Sequence, residues 1–270
     1  MNLAIDIGSN TLKIAVFDKV LKNNEKVLNL GLFYENECIN DEGIKVLINA
    51  LDELNYDLSK AKVVATAIFR KSKNADLIAN MLYQKYGFKL KILSQNEEAR
   101  LTRLGVGISI QGDFTLVDVG GYSTEITSND KKLLLDIGLL SFYKSVKEKN
   151  LDIKDYAYTL LNPYKNELKS YPRPIVLASK TGIFAKSIAK NIAYKDIDDL
   201  EFHNSIVNKD ELYKLIDFIN TNNAEKRDLM LGVNRDFAVL CGAYFIDTLF
   251  DDFEFIISAY GLKEGILLGE

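Results

Sequence analysis

The chain has 270 residues, 47% of them hydrophobic, with 34 Lys and Arg against 38 Asp and Glu and one histidine. That length supports one large domain or two with a cleft between them. The net charge of -4 argues against a general nucleic-acid surface, His203 alone excludes His-pair zinc sites, and no apolar window is long enough to span a bilayer.

Asp6 interrupts the first apolar run where a signal peptide would continue, so the sequence predicts no export, no membrane association and a cytoplasmic protein. Cys38 and Cys241 have neither metal-ligand spacing nor a disulfide framework, and both are expected to be reduced.

The first predicted element is a hairpin. Residues 2–7 form an apolar strand holding one acid, Asp6; Gly8, Ser9 and Asn10 form a tight turn; residues 11–18 form the returning strand. A strand around 26–33 follows, then a helix from Glu42 to about Asn55 and a buried strand over 62–66. The pattern then predicts a helix near 74–86, a strand over 88–93 and a helix from Glu97 to about Gly107. At Leu116-Val-Asp118-Val-Gly120-Gly-Tyr122-Ser123-Thr-Glu125 the hairpin recurs. A strand over 131–135 and helices near 141–149 and 154–170 come next. They are followed by a strand over 174–179, helices near 208–222 and 234–249, and a closing strand over 253–257. Both halves open with a hairpin and continue as alternating strands and helices. The expectation is an α/β protein of two duplicated domains, 1–118 and 119–270, joined without a flexible linker.

An Asp within a run of Ile, Leu and Val is costly to bury as a charge unless a cation or hydrogen-bond donors neutralise it. A Gly and Ser turn lets backbone amides point outward as an anion nest. Two such hairpins facing each other predict Mg2+ beside phosphate. The phosphate-binding candidates are Gly8, Ser9 and Asn10 in the first turn, and Gly120, Gly121, Tyr122 and Ser123 in the second. Asp6, Asp118 and Glu125 are the candidate metal ligands, because an all-oxygen set completed by water and phosphate suits Mg2+ rather than zinc. Between the hairpins, Ser94 and Glu97 have the spacing of a capping box, which assigns Glu97 to the helix end. Glu98 is left free to face the cleft as a general base. Arg70 follows the 62–66 strand, where strand ends turn toward the cleft of an α/β sheet, and its guanidinium suits phosphate oxygens. Lys180 and Arg235 stand at element ends where they border the same cleft or the surface.

Taken together, Asp6-Ile-Gly-Ser-Asn-Thr, Asn96-Glu-Glu-Ala-Arg-Leu, Val117-Asp-Val-Gly-Gly-Tyr-Ser-Thr-Glu125, Asn234-Arg-Asp and Tyr260-Gly-Leu-Lys-Glu-Gly265 resemble the motifs of the Ppx/GppA family. These are exopolyphosphatases and guanosine pentaphosphate phosphohydrolases within the actin, Hsp70 and sugar kinase superfamily. The resemblance covers nearly the whole chain. It implies two actin-like (ribonuclease H-like) domains, Mg2+-dependent release of a terminal phosphate from inorganic polyphosphate or guanosine pentaphosphate, and polyphosphate or guanosine penta- or tetraphosphate as binding partners. In it Glu98 activates water, Arg70 is the cleft arginine, and Asp6, Asp118 and Glu125 hold the metal; family analogy also suggests a homodimer.

The chain departs from the family pattern at three places. Tyr122 stands where a third glycine is usual, so it is strained if that position needs a positive φ; otherwise its ring enters the phosphate path. Lys180 stands at a position usually held by Gly, and the usual Arg-Leu-Gly segment is not recognisable near residue 30. With Gly265 only five residues before the end of the sequence, the extra C-terminal helical domains of longer members are not expected. Tyr122 and Lys180 motivate an alternative reading, a regulatory protein that binds polyphosphate or guanosine nucleotides without turnover. A third reading, an ATP-using kinase, lacks a convincing Gly-Gly pair near Ser179-Lys-Thr-Gly182.

Overall fold

The computed structural model describes residues 2–18 and 21–269. The chain begins with strands β1 (Asn2–Ile7), β2 (Thr11–Phe17) and β3 (Leu21–Val27), then a two-stranded ribbon of β4 (Tyr34–Glu35) and β5 (Cys38–Ile39). Next come α1 (Asp41–Asp52), β6 (Lys62–Ala65), α2 (Ala67–Lys71), α3 (Ala75–Tyr86), β7 (Leu90–Ile92) and α4 (Gln95–Val106). The five larger strands form one sheet in the order β3-β2-β1-β6-β7, with β6 and β7 running parallel to β1.

The second half opens with β8 (Thr115–Val119), β9 (Thr124–Thr127) and β10 (Lys132–Leu135), followed by α5 (Leu139–Lys149), α6 (Ile153–Leu168), β11 (Ile175–Leu177) and α7 (Lys180–Ala189). It closes with α8 (Asp199–Phe202), β12 (Ile206–Asn208), α9 (Lys209–Thr221), α10 (Ala224–Leu231), α11 (Asp236–Leu249), β13 (Glu254–Ile257) and α12 (Leu262–Leu268). Its sheet has the order β10-β9-β8-β11-β13-β12. Each sheet therefore pairs an antiparallel three-strand meander with two parallel strands added beside the meander's first strand, and the second sheet ends in an antiparallel edge strand, β12.

Helices cover both faces of the first sheet, which is why β1 reads as a continuous apolar run instead of an alternating one. Leu3, Ile5 and Ile7 pack in the cluster that holds Leu47, Leu51, Ile78 and Leu82 of α1 and α3. Ala4 faces the other way, into a smaller cluster with Leu101 of α4 and Leu262 and Ile266 of α12. Thus α12 leaves the second sheet and returns to cover the first. The expected division after residue 118 falls inside β8, which begins at Thr115 and pairs wholly within the second sheet.

The strand expected around 26–33 is displaced to β3. That strand pairs residue for residue with β2, from Phe17 opposite Leu21 to Thr11 opposite Val27. It carries Asn23, Asn24, Glu25 and Lys26 because it is an edge strand, so its sequence has no apolar alternation to read. The apolar residues that suggested a later strand form a 3-10 turn at Leu30–Phe33, with Leu30 buried. Helices α2, α7, α8, α10 and α12, the β4–β5 ribbon and the short strand β12 were not anticipated. Among the described residues, no single helix is long and apolar enough to cross a membrane. Both cysteines are free, as expected.

Candidate active site

The two hairpins close by the same bond. Gly8 N–H donates to Thr11 O and Gly120 N–H donates to Ser123 O, each at 2.9 Å. Their registers also match: Asp6 lies opposite Lys13, and Asp118 opposite Glu125. Cross-strand partners project from one face, so each hairpin presents an acid and a second ionisable group together. The turns touch: a Cβ on Gly121 would lie 2.9 Å from the Cβ of Ser9 and 3.4 Å from the Asn10 amide. None of Gly8, Gly120 and Gly121 has a positive φ. What glycine provides at 121 is room for the opposite turn.

A cavity of about 120 Å3 lies between the turns, lined by Asp6, Gly8, Ser9, Asn10, Glu98, Asp118, Gly120, Gly121 and Ser123, together with Lys13, Glu25, Lys180 and Arg235. Nine of the expected site residues therefore meet there. The amides of Ser9, Asn10, Gly121 and Tyr122 make no hydrogen bond among the described residues, which leaves donors for an anion at both turns. Ser9 Oγ is not a free ligand, because it accepts from Ile68 N–H at 3.2 Å and thereby ties the first turn to the start of α2.

Ser94 and Glu97 make the expected capping box at the start of α4, with Ser94 N–H donating to Glu97 Oε2 at 3.0 Å. One position on, Glu98 turns inward and is buried. Arg70, one helix away on α2, holds it: Nη1 donates to Glu98 Oε2 at 2.5 Å and to Leu93 O at 3.0 Å, and Nη2 reaches Ser123 Oγ at 3.4 Å. Arg70 thus orients Glu98 and does not itself line the cavity. Burial pushes the Glu98 carboxyl up to about 7, against the opposing pull of Arg70.

The other carboxylates show the same conflict between burial and charge. Burial raises Asp6 to about 6 even though Lys13 pulls it down, and burial raises Asp118 as well. Glu125 is raised well above its usual range by burial and then by Glu98 and Asp118. It lies behind the cavity, where it accepts from Gln95 Nε2 at 2.8 Å. The buried Asp6 Oδ1 has no hydrogen-bond partner, a costly arrangement unless a cation arrives. No three His, Cys, Asp or Glu among the described residues converge as a ready-made metal cage. Of the four carboxylates that line the cavity, Glu98 is held by Arg70 and Glu25 by Lys180 and Arg235; Asp6 and Asp118 remain, a pair that fits the mode in which water and substrate phosphate complete the Mg2+ sphere.

Tyr122 overturns its expectation. Its φ is not positive, and its ring does not line the cavity. The ring is buried in the first half's core cluster, donates its hydroxyl to Gly31 O at 2.7 Å, and meets the Tyr34 ring edge-on at 5.9 Å. Only glycine at 31 admits it, since a Cβ there would lie 2.3 Å from Tyr122 Cε2. Tyr122 therefore offers the cleft its amide, while its side chain joins the two halves. Tyr122→Ala is expected to destabilise the protein by about 3 to 5 kcal/mol without raising activity, measured by urea unfolding beside a phosphate assay. A Tyr122→Gly variant that gains turnover would restore the ring to the phosphate path.

Sequence reasoning missed Lys13, Glu25 and Gln95. Lys13 is a half-buried cation in the run Leu12-Lys13-Ile14, opposite Asp6, at the offset that Glu125 occupies from Asp118; that repeated offset was the available signal. Glu25 had no signal in its polar strand, and Gln95 none in the capping segment.

The model of the Ppx/GppA phosphatase family matches residues 15–270. Over 138 residues, 46% of this chain, the sequence is 32% identical to a guanosine-5'-triphosphate,3'-diphosphate pyrophosphatase of Pseudoalteromonas atlantica. The match takes in 27% of that protein, so the chain spans about a quarter of its length. Among solved structures, an exopolyphosphatase from Cytophaga hutchinsonii superposes with a TM-score of 0.84 at 18% identity, covering 98% of this chain and 96% of the other. The Aquifex aeolicus Ppx-GppA enzyme gives 0.77 at 22% identity, covering 99% and 98%. These likenesses give the fold, two actin-like domains about a cleft. With the family model matching almost the whole chain, the protein belongs to the Ppx/GppA phosphatase family.

Proposed function

We propose that this protein is a Mg2+-dependent phosphohydrolase that releases the terminal phosphate of inorganic polyphosphate or guanosine pentaphosphate. One observation carries the reading: a buried carboxylate, Glu98, is poised at about 7 on the first turn of α4, facing a cavity between two amide-lined turns. A general base works best when its pKa lies near the working pH. Held by Arg70, Glu98 accepts a proton from water as the water attacks the terminal phosphorus in line with the leaving oxygen. The free amides of the two turns stabilise the charge that spreads over the phosphoryl oxygens. Asp6 and Asp118, with Glu125 behind them, are the residues that would hold Mg2+, which when bound neutralises that same charge.

The test is phosphate release from tripolyphosphate, long-chain polyphosphate and guanosine pentaphosphate, each with Mg2+ and with excess EDTA. Release that requires Mg2+ and falls to background in EDTA is expected. Release undiminished by EDTA would remove the metal from the proposal, and no release from any of the three would remove the activity. Asp118→Asn is expected to raise the Mg2+ concentration needed for half-maximal rate by about 10-fold to 100-fold, read from a Mg2+ titration at saturating substrate.

A further inference from the structure

The register of the first sheet lays three charges in a row: Asp6 opposite Lys13, and Lys13 opposite Glu25. Because cross-strand partners share a face, the edge strand β3 brings Glu25 to the rim of the same cleft. There it meets two cations from the other half. Its Oε1 accepts from Arg235 Nη2 at 3.0 Å and lies 3.3 Å from Lys180 Nζ. Lys180 is also bound to Asp199 Oδ2 at 2.5 Å, so it is anchored within its own half while it reaches across the cleft. The Arg235 side chain is 9% exposed and that of Glu25 17% exposed. Although burial opposes it, Lys180, Arg235 and Lys13 hold the Glu25 carboxyl below its usual range.

This ion pair divides the cleft. Glu25 and Lys180 line both the inner cavity of about 120 Å3 and an outer one of about 710 Å3. The outer cavity carries Lys22, Lys195 and Lys263 on its wall, in a mixed lining with Asp198, Asp199, Ile183 and Leu200, and these lysines are the cations that would meet the rest of a polyanion. Two cations converging from one half on a single carboxylate oxygen of the other make an anion site filled by the chain's own side chain.

We propose that Glu25 is a specificity-determining residue, an internal anion that holds Lys180 and Arg235 until a condensed phosphate long enough to span both cavities displaces it. The inference rests on the phosphohydrolase reading above. Lys180 and Arg235 stand on the wall of the inner cavity beside Glu25, and a single orthophosphate held at the two turns carries no second phosphoryl group with which to displace Glu25 from them. A phosphoanhydride chain places a second phosphoryl group at the bar, and its oxygens meet the Arg235 fork as a carboxylate does but with more charge. Glu25 must then swing out, because a carboxylate left against a phosphate sets like charges directly together. The bar therefore screens ligands by length and charge.

The test measures binding by calorimetry on a Glu98→Gln background, so that ligands survive, with orthophosphate, tripolyphosphate and guanosine pentaphosphate. Glu25→Gln is expected to tighten a condensed phosphate roughly fivefold to tenfold and leave orthophosphate unchanged, while Lys180→Gln weakens the same condensed phosphate. The ligand that responds identifies whether the chain comes from inorganic polyphosphate or from the nucleotide. A simple clasp between the halves predicts the same sign for both variants, since each breaks the same ion pair. Glu25→Ser supplies a second removal of the charge, and melting curves confirm that all variants fold. Unchanged or weaker binding of condensed phosphate by both Glu25 variants overturns the inference. If the unsubstituted protein meanwhile releases phosphate, the phosphohydrolase reading survives that result; if nothing binds and nothing is released, both fail.

Discussion

Replacing Glu98 by glutamine is expected to lower kcat by about 100-fold to 10,000-fold while leaving substrate affinity within a small factor. The amide keeps the shape and the contact with Arg70 but cannot take a proton from water. A KM that rises with little change in kcat would instead make Glu98 a binding residue. In the proposed reaction Glu98 must be ionised to act as the base, so kcat/KM of the unsubstituted protein is expected to climb as pH rises through about 7 and then level. The variant's residual rate should lose that rising limb. Stability follows the opposite slope. The folded protein holds Glu98 protonated to higher pH than the unfolded chain does, so this residue lowers stability as pH rises from about 4.5 to about 7. Above pH 7 Glu98→Gln removes a buried charge but also weakens the pairing of Arg70. Its melting temperature is therefore expected to stay near that of the unsubstituted protein, which separates lost chemistry from lost fold. An inactive variant that also melts far lower would leave Glu98 with a structural task.

The part of this site that was legible in the sequence is the part where a charge interrupts an apolar run. Asp6 and Asp118 stood out because strands of Ile, Leu and Val seldom carry an acid without a reason, and the turn after each supplied one. Glu98 stood out by subtraction, once Ser94 and Glu97 had been assigned to the helix cap. Tyr122 was legible as a departure but not as a consequence, since its ring is accommodated by Gly31, 91 positions away in sequence. Glu25 was hidden for the opposite reason: a polar edge strand gives no periodicity, and its importance comes from Lys180 and Arg235 in the other half. Neighbours brought together by tertiary packing leave no local pattern. The same holds for α12, whose seven residues from Leu262 to Leu268 are too few to announce a helix and acquire their role only by lying against α4.

That contact carries a large expected effect on stability and rate together. A Cβ on Gly265 would lie 1.8 Å from Leu101 O, and one on Gly105 would lie 2.0 Å from Gly261 O. Helices α4 and α12 thus touch backbone to backbone at two places, and neither obstacle is a side chain that can rotate away. Overpacking a core typically costs about 1 to 3 kcal/mol; here the helices themselves must separate, so Gly265→Ala and Gly105→Ala are each expected to lie at or above the top of that range in urea unfolding. Gly112→Ala is the control, because its Cβ would meet nothing within 4 Å and only its φ of +84° is unfavourable, a cost of about 1 kcal/mol. The consequence reaches the chemistry. Leu101 lies one helical turn from Glu98, and Thr102 Oγ1 donates to Glu98 O at 2.9 Å, so pushing α4 outward moves Glu98, the proposed base, relative to both turns. A displacement near 1 Å can cost about 100-fold in rate, and Gly265→Ala is expected to lose kcat even at temperatures where it remains folded. If it unfolds like the unsubstituted protein and keeps full activity, α12 does not set the position of α4.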